Sequence, residues 1–132
     1  MSKSTAKRYP IGTKNPNLPF HPGVRVGDLI FVSGQVAKDA DGNMIHGTIE
    51  EETRATILAI ERVLKADGAS LDDVVRVCTY LEDTRDFGRY NKVFGEYFKN
   101  PAGLARTTVE ARAVISTKIE MDAIAYCPKE DK

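Results

Sequence analysis

The chain switches between two hydrophobic periodicities, and the switch points mark out its elements. Val24 to Val26 and Leu29 to Ser33 are short apolar runs joined at Gly27-Asp28, a pair suited to a tight hairpin turn. Val36-Ala37 continues the second run past Gly34, and Asp39 to Asn43, centred on Asp41-Gly42, is turn chemistry. From Thr48 the spacing becomes helical. Thr53, Ile57, Ile60 and Leu64 fall on one face, Thr48 and Glu51 match a capping box, and Gly68 supplies a left-handed stop. Val74 to Leu81 returns to a period of two, with Val75, Val77, Thr79 and Leu81 opposite Val74, Arg76, Cys78 and Tyr80. Apolar content on both sides predicts a largely buried central strand. A second helix runs from an N-cap at Asp86 to Phe98, with Phe87, Tyr90, Phe94 and Phe98 as its apolar stripe. Thr107 to Ala113 and Ile119 to Tyr126 read as two final strands, adjacent in the sheet.

This order, strands then helix, strand, helix and strands, predicts an α+β fold: a mixed sheet with both helices packed on one face. The 132 residues are expected to form one domain. Residues 1–8, polar and lysine-rich, are expected to be a mobile tail. The stretch Gly12 to Gly23 carries Pro16, Pro19 and Pro22 and predicts a loop. Loops of that length in small domains are disproportionately functional.

Charge narrows the partners. Lys+Arg and Asp+Glu both number 19, so the formal net charge is 0, and no Trp is present. That removes the basic footprint with which proteins hold nucleic acid. No apolar run is long enough to span a bilayer, and the N-terminus lacks the apolar centre of a signal peptide, which points to the cytoplasm. Cys78 and Cys127 are far apart and His21 and His46 are the only imidazoles, so neither a metal site nor a disulfide is expected. His46 follows a turn and reads as exposed. His21 sits in the proline-rich loop beside Phe20.

The final strands have the most unusual composition. Arg106, Thr108, Glu110 and Arg112 share one face, and Glu120, Asp122, Ile124 and Tyr126 share one face of the last strand. If the two strands are neighbours, these make a polar surface, and the commonest reading of it is a solvated face with cross-strand charge pairs. The sheet face without helices must be wet or covered by another subunit, and the apolar content near Ile124 to Tyr126 favours partial cover. In a partly covered cleft an arginine fork binds a carboxylate and a glutamate moves a proton. Asn91 lies on or beside the apolar stripe of its helix, where an amide needs partners. Gly34 interrupts a strong strand, as a bulge or as a close approach of backbone to ligand.

Four segments together resemble the Rid family of reactive-imine deaminases, also called YjgF or L-PSP. They are Val24 to Gln35, Tyr90 to Phe98, Ala105 to Ala111 and Lys118 to Ala125, and the resemblance spans about Phe20 to Tyr126. It implies a chorismate-mutase-like fold assembled as a homotrimer, with ligand sites between subunits and no cofactor. The activity implied is hydrolysis of 2-imino or 2-enamino acids to 2-oxo acids and ammonia. In that activity Arg106 would bind the carboxylate and Glu120 would place water or exchange a proton. Asn91 would shape the site, the Gly34 backbone would face the ligand, and Thr108 and Phe20 would line it. The family commonly has tyrosine where Phe20 stands and cysteine where Thr108 stands. A carboxylate-binding trimer without turnover, acting as sensor or holdase, and an endoribonuclease are the alternative activities.

Overall fold

The computed structural model describes residues 7–129, so residues 1–6 of the expected tail lie outside the described residues. Strands β1 (Arg8–Ile11), β2 (Gly23–Val26) and β3 (Leu29–Val36) are followed by helix α1 (Ile49–Lys65) and strand β4 (Val74–Leu81). Helix α2 (Phe87–Tyr97), β5 (Ala105–Glu110) and β6 (Ile119–Tyr126) complete the chain. The sheet order is β1-β2-β3-β6-β4-β5. Arg8 therefore belongs to an edge strand rather than a tail. A four-residue strand containing Pro10 carries little periodicity, and proline is tolerated there because an edge strand has one unpaired side.

Both helices cover one face of the sheet, as the pattern predicts. In α1, Thr53, Ile57, Ile60 and Leu64 are fully buried, and Thr48 and Glu51 form the capping box. They pack over Ile30, Val32, Val77, Met121 and Ala123, whose alternation puts them on the helix side of β3, β4 and β6. Asp86 is the N-cap of α2 but makes no side-chain capping bond. A single 3-10 turn precedes it, started by Asp83, whose carboxylate accepts from the Arg85 amide at 2.9 Å. At the start of β4 a register shift turns Val74 inward and leaves Val75 exposed, opposite to the alternation expected from sequence.

The last two strands are not neighbours. β6 lies antiparallel between β3 and β4, and β5 lies parallel on the outer side of β4. The reason is connectivity: α2 carries the chain back along the sheet, so the strand after it must run parallel to β4. The final strand then crosses to the gap beside β3. β5 also ends at Glu110, three residues before the predicted Ala113.

Candidate functional site

The strand order overturns the single polar surface expected from β5 and β6. Arg106 pairs with Val77, whose side chain points at the helices, whereas Glu120 pairs with Tyr80, which points away from them. Thr108, opposite Thr79, shares the helix side with Arg106. The predicted site residues thus form two groups on opposite faces of one sheet.

On the helix side, the Arg106 guanidinium lies over three rings of α2. Its Cζ is 5.7 Å from the centroid of Phe87, 5.0 Å from Tyr90 and 4.8 Å from Phe94. The stripe read from sequence as core packing is therefore also a bed for a cation. Among the described residues Arg106 has no ion pair with a carboxylate. Phe87, one of these rings, also lines a cavity of about 280 Å³ together with Leu81, Thr84, Thr108, Val109 and Glu110. Asn91 is on α2 as well, and its Oδ1 is shut off from solvent without a hydrogen-bond partner among the described residues.

On the other face, Glu120 presses against Gly34. A Cβ at Gly34 would overlap the Glu120 carboxylate, so the glycine leaves the glutamate room to lie where it does. The β3–β6 register also shifts between Val32 and Gln35, so Ser33 and Gly34 form a bulge. The bulge expected at this interruption is present, and the group that meets Gly34 within the chain is the Glu120 carboxylate. Burial, and then the charge of Asp122, push the Glu120 carboxyl above its ordinary range. Tyr80 donates to Asp122 Oδ2 at 3.0 Å, within the same cluster.

The proline-rich loop is fastened to this second group. Ser33 donates its hydroxyl to the His21 carbonyl at 2.7 Å and its amide to the Pro22 carbonyl at 2.9 Å. Phe20 precedes that attachment and is half exposed. His46 is exposed, as its turn predicts.

Glu52 escaped the sequence reading. It is 1 % exposed, and its carboxylate accepts from the amides of Lys118 (2.9 Å) and Gly47 (3.1 Å) and from the Thr117 hydroxyl (3.3 Å). Its position beside Glu51 in the first turn of α1 was the available signal, because only one of the two can serve the cap. Among the described residues no three His, Cys, Asp or Glu side chains cluster as metal ligands would.

The sequence of residues 12–127 matches the family model described as endoribonuclease L-PSP. The chain belongs to the L-PSP family, also called YjgF or Rid. Similar relatives include a RutC family protein of Pyrococcus abyssi, 43% identical over 110 residues, covering 82% of this chain and 86% of that one. The mitochondrial protein mmf2 of Schizosaccharomyces pombe is likewise 43% identical, covering 81% and 86%. Among solved structures, the Rid family protein YyfA of Yersinia pestis superposes with a TM-score of 0.83 at 26% identity, covering 91% of this chain and 99% of that one. No described helix is long and apolar enough to cross a membrane.

Proposed function

We propose that this L-PSP family member hydrolyses 2-imino and 2-enamino acids to 2-oxo acids and ammonia, at sites formed between subunits of a homotrimer. The observation that carries the reading is Arg106: a guanidinium held on three rings, one of which lines a cavity, with no carboxylate partner among the described residues. Such a group favours a carboxylate from outside, bound bidentately.

The two half-sites support the assembly. Arg106 and Glu120 point to opposite sides of one sheet, so a ligand touching both takes them from two copies of the chain. The face that carries Glu120 also exposes Leu29, Phe31 and Tyr126, an apolar surface suited to a second copy. In that arrangement Phe20, Gly34 and Glu120 of one subunit face Arg106, Thr108 and Asn91 of the next.

The chemistry asks little of the protein. The iminium carbon is already electrophilic. Water adds to it, one of the water protons moves to nitrogen, the C–N bond breaks and ammonia leaves, and the other proton is lost to the proton carrier as the oxygen becomes the ketone. A fixed carboxylate, a positioned water and one proton carrier suffice. Glu120, whose proton is held more tightly than that of an ordinary glutamate, is the carrier. The cytoplasmic location read from the sequence belongs to this proposal, although the mmf2 relative is mitochondrial by name.

The test is ammonia release from enzymatically generated 2-imino acids, with Arg106→Ala in parallel and RNA as a separate substrate. Hydrolysis above the buffer rate that disappears in Arg106→Ala supports the deaminase. Arg106-dependent carboxylate binding without turnover selects the sensor, and cleavage of RNA alone selects the ribonuclease.

A further inference from the structure

Three hydroxyls connect the core to the cavity that Thr108 lines. Thr79 Oγ1 lies 2.7 Å from Tyr90 Oη, and Tyr90 Oη lies 3.3 Å from Thr108 Oγ1. Thr79 is 1 % exposed and Tyr90 0 %, so neither reaches water.

Counting hydrogens favours one direction for this line. Each hydroxyl has a single hydrogen to give. Among the described residues, Tyr90 is the only partner of the Thr79 hydroxyl. A buried hydroxyl hydrogen without an acceptor is strongly disfavoured, so Thr79 donates to Tyr90. The Tyr90 hydrogen then goes to its one remaining neighbour, Thr108. Thr108 accepts from within and keeps its own hydrogen for an acceptor outside the line.

That acceptor has a place to sit. Thr108 lines the cavity of about 280 Å³ and follows Arg106 by two residues on the same strand face. Glu110 is the acidic residue of the lining, and its Oε1 is engaged by the Thr84 amide at 3.0 Å. We infer that the Thr79–Tyr90–Thr108 line presents Thr108 as a hydrogen-bond donor to the ligand carboxylate beside Arg106, and that Tyr90 is a positioning residue for anion selectivity. This rests on the carboxylate reading of Arg106 and adds to it a pre-set donor with a buried origin.

The test compares binding of pyruvate, the simplest 2-oxo acid product, with that of its neutral amide. Both are titrated into the intact wild-type protein, Arg106→Ala, Thr108→Val, Thr108→Ser, Tyr90→Phe and the Tyr90→Phe/Thr108→Val double variant. Thr108→Val is expected to weaken pyruvate about tenfold and to leave the amide nearly unchanged, while Thr108→Ser keeps wild-type selectivity. Tyr90→Phe is expected to weaken pyruvate severalfold, with no further loss in the Thr108→Val background. Wild-type pyruvate affinity in Thr108→Val overturns the inference. An equal Tyr90→Phe effect in both backgrounds overturns the positioning role. If Tyr90→Phe does not fold, the two Thr108 variants decide. Wild-type pyruvate binding by Arg106→Ala sinks the underlying carboxylate reading instead; loss there, with Thr108→Val normal, sinks only this inference.

Discussion

Arg25 and Glu52 are charged groups the fold has matched; Arg106 and Glu120 are charged groups it has left open. Arg25 is 2 % exposed and donates from Nε to Asp67 and from Nη1 to the carbonyls of Gly27 (3.0 Å) and Cys127 (2.9 Å), with Nη2 unpartnered among the described residues. Arg106 lies over three rings and has no carboxylate partner among the described residues. The glutamates repeat the contrast. Burial pushes Glu52 up, but the amides of Lys118 and Gly47 and the Lys118 ammonium outweigh it and hold the carboxyl below its ordinary range. Glu120 has burial and Asp122 acting in the same direction, and its carboxyl is raised. Matched charges tie loops to the core, while open charges sit where an outside group can complete them.

The largest expected effect is on the matched side. Glu52→Ala removes the acceptor for two amides and a hydroxyl behind β6 and should cost about 3 kcal/mol, read as a shift in the denaturant midpoint. The stability that Glu52 confers is present above the ordinary glutamate range and is lost as pH falls through its lowered value, so the deficit of Glu52→Ala should narrow in acid. A deficit that does not vary with pH would show that the charge is not what holds the loop.

Arg106→Ala is the reciprocal case. It should lower kcat/KM about a hundredfold, with a stability loss of only about 1 kcal/mol from the ring contacts. A stability loss as large as that of Glu52→Ala would erase the distinction between the two regions.

How much of this was legible in sequence depended on whether a residue acts through its neighbours in the chain or across the sheet. The capping box of α1, the hairpin at Gly27-Asp28 and the buried face of α1 follow from spacing alone, and the structure has each of them. The polar surface joining Arg106 to Glu120 failed because alternation gives a residue's side relative to its own strand, not to a strand elsewhere. β4 lies between the two, and its register with each of them decides the sides. The same blindness hid Tyr90, whose ring reads as core and whose hydroxyl meets Thr79 of β4 and Thr108 of β5. The family resemblance supplied the candidate residues, but only the sheet order shows that they face apart.

A smaller effect sharpens the open side. Gly34→Ala places a methyl group against the Glu120 carboxylate, which must swing away. Turnover should fall about tenfold with little change in stability, because the obstacle is the far end of a flexible side chain. The smallest effect is in the pH profile. If ionised Glu120 is needed, the acid limb of kcat lies above the ordinary glutamate range, and Asp122→Asn should move it to lower pH by removing a neighbouring negative charge. A limb that stays in place would leave burial as the sole cause.

The opposed faces of Arg106 and Glu120 also have a genetic reading. When each working centre borrows from two copies, two inactive alleles rescue each other: co-assembled Arg106→Ala and Glu120→Gln chains recover about a quarter of the centres at equal, random mixing. A lone chain, however well folded, holds two unlike halves that never meet.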